Sequence, residues 1–442
     1  MSEASLDPAW LEELSEFLRI ESVSADSERA GDVRRAAEWV RDFVRAAGGE
    51  CELVETETFP LVVGEISAAM DAPTVLAYGH FDVQPAAPLE AWESPPFEPT
   101  VRDGWLYARG VADDKGQLYT LLKAAALLAA EGQLPVNLRF TCDGEEETGG
   151  HQIVDFIAGD ERGADAAVIF DSAMLRPGAP VFHVATRGLV YFHVTVRTGE
   201  RDLHSGVFGG AALNAAHALM QTLRGVVTED GLARDELRVG VAPVSGDELA
   251  AWKELPSGAE ILAQSGARPT DAAVAEDFYG RTWAEPAVDV NGIAGGEPQL
   301  QKTVLPVAAE ANVSIRLAPG QDPDAIAPIF ERLLREAAPD GADVAVERWS
   351  SAPGALVPPD APAIQLALDA FERVIGTRPL LTRVGGTLPI VPALADKGIP
   401  TVLTGFDLPE GNIHSPNERL RVDHVPLAVD AARELYRAFA KL

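Results

Sequence analysis

Apolar residues recur at helical spacing near the start of the chain. Leu11, Leu14 and Leu18 share a face behind Asp7-Pro8, a capping residue and a first-turn proline, so a helix is predicted there. A second helix is predicted over 30–47, closed by Gly48-Gly49. Short continuous apolar runs follow at 74–78, 136–142 and 167–170, with a helix predicted at 114–131 between the first two. Such runs, separated by helices, predict strands buried on both faces of a mostly parallel sheet.

From Leu189 the period drops to two. Val190, Phe192, Val194 and Val196 alternate with Tyr191, His193, Thr195 and Arg197, as in a half-buried strand. A helix is predicted over 211–223, an alternating strand over 310–317, a helix after Asp322-Pro323 and a strand over 344–348. This suits an antiparallel sheet with helices on one face. Past Pro353 the first style returns, with a helix at 361–375, a strand at 400–404 and a helix at 424–441. The expected fold class is α/β: a discontinuous domain, 1–187 and 353–442, with a mostly parallel sheet flanked by helices, and an inserted α+β domain at 188–352.

At 442 residues the prior is two or three domains, and 47% hydrophobic with 24% charged residues excludes bulk disorder. Acidic residues outnumber basic ones 68 to 36, a net charge of −32, which repels phosphate backbones and argues against nucleic-acid binding. That charge serves solubility, unless some carboxylates cluster to hold cations. Cys51 and Cys142 cannot staple a chain of this length and read as small buried hydrophobes, compatible with a reducing compartment. The first residues have neither a basic start nor an apolar core, and no apolar run approaches eighteen residues. A cytoplasmic location without membrane contact is therefore expected.

Ligand sites in open α/β sheets lie at the carboxyl ends of the strands. The three predicted strands end in Gly79-His80-Phe81-Asp82, in Asp143-Gly144-Glu145-Glu146-Glu147-Thr148-Gly149, and at Asp171. Asp113-Asp114 precedes the long helix, and His414 follows a late strand in Gly411-Asn412-Ile413-His414-Ser415-Pro416. Each alone reads as a loop residue or helix cap, and the glutamate run as a solvated turn. Five segments converging on one sheet edge would crowd carboxylates that repel, and bound cations relieve that repulsion. Histidine and carboxylate without thiolate suit zinc, manganese or cobalt.

His80-Phe81-Asp82-Val83-Gln84-Pro85, Gly110-Val111-Ala112-Asp113-Asp114-Lys115-Gly116, Asp143–Gly149 and Asp202-Leu203-His204-Ser205-Gly206 resemble the signatures of the M20 metallopeptidases. The likeness is greatest to their cytosolic non-specific dipeptidase and carnosinase branch. It runs nearly the whole length and includes Gly385-Gly386-Thr387 and the segment from His414 to Glu418. The resemblance implies two divalent ions sharing Asp113, one held also by His80 and Asp171, the other by Glu147 and His414. Glu146 falls at the general base and Asp82 at the carboxylate that orients His80. Physical chemistry agrees: a ligating imidazole needs its second nitrogen fixed, and two cations about 3.5–4 Å apart need a bridging carboxylate. Three consecutive glutamates leave a register to settle, and Asp143-Gly144 with Thr148-Gly149 favours Glu146 as base. Lys115 is expected to be a structural ion-pair partner.

The resemblance further implies that His204 polarises the scissile carbonyl in the active site of the partner subunit, which requires a homodimer. Ser205 lacks the surroundings of a nucleophile elbow and is not read as a nucleophile. The resemblance places Arg316 on the substrate's terminal carboxylate, with Thr303, Gly386 and Thr387 as further substrate contacts. Arg383 is a candidate anion contact and 291–296 a cleft loop. The expected protein is a dinuclear hydrolase of dipeptides or short peptides, with zinc ahead of manganese or cobalt and the inserted domain as lid and dimer interface. An N-acyl-amino-acid amidohydrolase or a carboxypeptidase would share the metal site. A non-catalytic metal-binding protein would have no use for Glu146.

Overall fold

The computed structural model describes residues 6–229 and 231–442. They form two compact units: Met1–Val184 with Val357–Thr382 and Ala393–Leu442, and Ala185–Leu356 with Arg383–Pro392.

The first unit is built on a six-stranded sheet in the order Glu50–Val54, Leu61–Ile66, Asn137–Asp143, Thr74–His80, Ala166–Phe170, Thr401–Thr404. The last four strands run parallel, and the first two add an antiparallel edge. The three apolar runs are thus central strands, with Ala166–Phe170 buried throughout. The edge pair was not predicted; Glu50 and Glu52 break up the apolar pattern of its outer strand. Asp7 caps the helix Pro8–Leu18 through Ala9 N–H at 2.8 Å. The helix Lys115–Ala130 packs on Thr74–His80 and on the helix His424–Phe439, and its N-terminal half is buried on every side. Among the described residues no helix is long and apolar enough to cross a membrane.

The second unit carries a four-stranded antiparallel sheet ordered Ala287–Gly295, Ala308–Leu317, Gly188–Arg197, Asp343–Ala352. The alternation in Gly188–Arg197 puts Val190, Phe192, Val194 and Val196 into a core shared with the helices Ala215–Leu223 and Pro323–Ala337. Phe192 and Phe330 stack there with ring centroids 4.6 Å apart.

Two expectations need correction. The assignment of all of 353–442 to the first domain does not hold, since Arg383–Pro392 groups with the second unit. Polar contacts tie it there: Arg383 Nε donates to Glu248 Oε1 at 2.7 Å, and Thr387 Oγ1 donates to the Arg187 carbonyl at 2.8 Å. Residues 291–295, read as loop, continue the strand Ala287–Gly295 past a bulge between Val290 and Gly292. Three helices between 246 and 279 also went unpredicted, although Ser245/Glu248 and Ser257/Glu260 form capping boxes that mark two of their starts.

Phe330 is fully buried, so Phe330→Ala should cost the second unit about 3–5 kcal/mol in urea unfolding. A loss below about 1 kcal/mol would mean that this stack does not hold helix to sheet.

Candidate active site

His80 closes the central strand Thr74–His80 and is wholly buried. Its Nε2 lies 3.0 Å from Asp113 Oδ1, and its Nδ1 lies 3.1 Å from the Asp82 carbonyl and 3.3 Å from Asp82 Oδ1. The other Asp113 oxygen, Oδ2, is 2.9 Å from His414 Nε2. His414 Nε2 is also 3.1 Å from Glu147 Oε2. Two groups of possible ligands result, His80–Asp113–Asp171 and Asp113–Glu147–His414, the ligand atoms of each within 4.8 Å of one another. Asp113 belongs to both. The structure therefore gathers all five sequence-selected ligand candidates, contributed by five separate segments.

The electrostatics favour cations. Burial pushes the Asp171 carboxyl up to about 7, and neighbouring Asp113 adds to the rise. Burial likewise pushes Glu146 up to about 8, opposed by His80 and reinforced by Asp171 and Asp113. Burial alone would raise Asp113 too, but hydrogen bonds from His414 and His80 hold its carboxyl below the ordinary range. The hydrogen bonds to Asp113 and Glu147 push His414 up to about 10. A site that retains protons in this way holds excess negative charge, and hard or borderline divalent cations suit its oxygen and imidazole donors.

The chain matches the model of peptidase family M20/M25/M40 over residues 76–438. It belongs to that family. It is 30% identical to the cysteinylglycine-S-conjugate dipeptidase of Corynebacterium striatum, covering 94% of this chain and 93% of that protein. It is 28% identical to the Cys-Gly metallodipeptidase DUG1 of Saccharomyces cerevisiae, covering 95% and 93%. The solved M20 metallo-carboxypeptidase Sso-CP2 of Sulfolobus solfataricus superposes with a TM-score of 0.87 at 26% identity, covering 99% of this chain and 100% of that one.

In this M20-family chain the triple-glutamate register is visible in three dimensions. Glu145 turns away from the cluster: its Oε2 accepts from the Thr58 hydroxyl and its Oε1 from Gln152 N–H at 3.0 Å. Glu147 joins the cluster and is steadied by Gln84 Nε2 at 2.9 Å, while its N–H donates to Asp82 Oδ2 at 3.2 Å. Glu146 belongs to neither ligand group. Lys115 is structural but not an ion-pair partner, since its ammonium donates to the carbonyls of Phe17 at 3.2 Å and Ile20 at 2.6 Å.

The remaining sequence-selected residues lie in the second unit. There Arg316 Nη1 donates to Thr387 Oγ1 at 2.9 Å. His204 pairs with Val304 across two short strands, beside Thr303, whose carbonyl accepts from Ser205 N–H at 2.9 Å. Arg383, a candidate anion contact, is instead buried against Glu248.

Sequence reasoning missed Glu418. This wholly buried carboxylate accepts at Oε2 from Arg109 Nη1 (2.6 Å) and Gly110 N–H (3.0 Å). At Oε1 it accepts from Ala112 N–H (2.9 Å) and Asp113 N–H (3.1 Å). It thereby pins the turn that carries Asp113. Gly116 lets that turn close, because a Cβ there would sit 1.9 Å from the Val111 carbonyl oxygen. The signal was the glutamate ending His414-Ser415-Pro416-Asn417-Glu418, but nothing local reveals its partners 300 residues upstream.

Glu418→Gln should remain folded and yet bind zinc about 10–100-fold more weakly in chelator competition, because an amide repels some of those donors. Unchanged affinity would show that Asp113 does not depend on this clamp.

Proposed function

We propose that the chain is a dinuclear metal-dependent dipeptidase. The observation that carries this is the shared Asp113, which offers one oxygen to each ligand group, with the unligated carboxyl of Glu146 alongside. His80, Asp113 and Asp171 would hold one divalent ion, and Asp113, Glu147 and His414 the other, with zinc favoured and manganese or cobalt able to use the same donors. When bound, such ions supply Lewis acidity toward the scissile carbonyl and acidify nearby water.

Glu146 takes the proton of the attacking water and delivers it to the leaving amine nitrogen. A carboxyl left outside both ligand groups is free to accept and then release that proton. Asp82 orients the His80 ring. Arg316 receives the peptide's terminal carboxylate, its planar fork steadied by Thr387, with Thr303 and Gly386 as further contacts.

His204 acts as the electrophile. Its Nδ1 accepts from Gly206 N–H at 3.0 Å, so in the neutral ring the proton sits on Nε2, ready to donate to a developing oxyanion. We assign that role in the site of a second copy, with the inserted unit as lid and homodimer interface. Exposed Val207 and Phe208, in the turn that follows His204, support an apolar contact surface there. The Cys-Gly and cysteinylglycine-conjugate names of the relatives favour dipeptides. The likeness to Sso-CP2 favours, as a second reading, removal of C-terminal residues from longer peptides. The two free, buried cysteines suit a cytoplasmic setting.

Turnover of a dipeptide panel should vanish on chelation and return with zinc, manganese or cobalt. Glu146→Gln should lower kcat by about 10²–10⁴-fold with metal content retained. Full activity after metal removal or in that variant would refute the mechanism. Preference for longer peptides over dipeptides would select the carboxypeptidase reading. His204→Ala and Glu146→Gln should each be inactive alone, while mixed dimers should recover activity through one intact site. No recovery on verified subunit exchange would refute the shared site.

A further inference from the structure

A cavity of about 320 Å³ lies wholly within the second unit, apart from every ligand candidate described above. The protein as a whole is strongly acidic, yet among the described residues four arginines and two acidic residues line this cavity. Two of the four arginines are already paired. Arg238 meets Glu285 at 2.7 Å, and Arg281 meets Asp271 at 2.7 Å and Asp277 at 3.3 Å. Arg187 differs. It is 5% exposed, and its Nη1 donates to the Thr282 carbonyl at 2.7 Å. Its Nε and Nη2 are buried without a hydrogen-bond partner among the described residues.

Those two nitrogens form the side-on edge of the guanidinium, whose parallel N–H bonds match the two oxygens of a carboxylate. Leaving them unsatisfied is costly for a buried cation. Burial first, and then Arg316 nearby, push the Arg187 guanidinium down to about 10, with Asp289 in partial opposition. Leu262, Val274 and Phe278 supply an apolar wall to the same cavity.

We propose that this cavity binds a small organic carboxylate with an aliphatic tail, its two oxygens on Nε and Nη2 of Arg187 and its tail against Leu262, Val274 and Phe278. The site is separate from the carboxylate anchor assigned to Arg316. The two are close enough to communicate, because the Arg187 main chain bonds to the Gly386 carbonyl and the Thr387 hydroxyl, and Thr387 holds Arg316.

The test is calorimetric titration of the full chain with 4-methylpentanoate, and with acetate to measure the tail's share. Saturable binding is expected, weaker for acetate, and reduced at least about tenfold by Arg187→Gln when both are measured in an Arg316→Gln background that removes the other carboxylate anchor. Leu262→Trp, which fills the cavity from its rim and leaves Arg187 in place, should also abolish binding and decides the matter if Arg187→Gln does not fold. No saturable binding by the wild-type protein at concentrations on the order of ten millimolar would overturn the proposal. So would binding that survives Leu262→Trp in that background, or that is lost in Arg316→Gln and kept in Arg187→Gln.

Discussion

The site depends on one carboxylate held between two imidazoles. Asp113 lies within hydrogen-bonding distance of His80 on one oxygen and His414 on the other, and every other ligand candidate is arranged around that axis. A bridging carboxylate must present both oxygens in fixed directions, which a free turn cannot ensure. Glu418 supplies the constraint by accepting from the N–H groups of Gly110, Ala112 and Asp113 and from Arg109. The Arg109–Glu418 pair is completely buried, an arrangement better suited to fixing geometry than to adding stability.

The sheet makes such crowding tolerable. Thr74–His80, Asn137–Asp143 and Ala166–Phe170 are hydrogen-bonded neighbours, so their C-terminal ends deliver His80, the 145–147 glutamates and Asp171 to one edge from a rigid, buried platform. Backbone and side-chain bonds then sort neighbouring carboxylates by task. Glu145 caps the next helix, Glu147 turns to His414 and Gln84, and Glu146 is left outside both ligand groups. Three identical residues acquire different surroundings from the turn and from the distant partners that folding brings to it.

The second unit shows the same economy with the opposite charge. Arg383, Arg187 and Arg316 are gathered around the segment Arg383–Pro392, which arrives from late in the chain. Arg383 is neutralised by Glu248, Arg316 is steadied by a hydroxyl, and Arg187 keeps two donors unused. Arg383 Nη1 is likewise buried without a hydrogen-bond partner among the described residues, so Arg187 carries the larger of two unmet demands.

Periodicity along the chain, with the length of each run and its flanking residues, determined the two layer styles, the central strands and most long helices, because short apolar runs suit strands buried on both faces and strict alternation suits half-buried ones. Ligand-type residues at strand ends, in family order, also marked the candidate metal centre before any coordinates. Three kinds of feature were decided by tertiary structure. The edge strand Glu50–Val54 and the helices between 246 and 279 carry too little apolar pattern for periodicity to register. The grouping of Arg383–Pro392 with the inserted unit depends on hydrogen bonds to residues about 70–200 positions away. The separate tasks of Glu145, Lys115, Glu418 and Arg187 depend on which donors and carbonyls folding brings within 3 Å or so, a distance set by packing rather than by spacing along the chain.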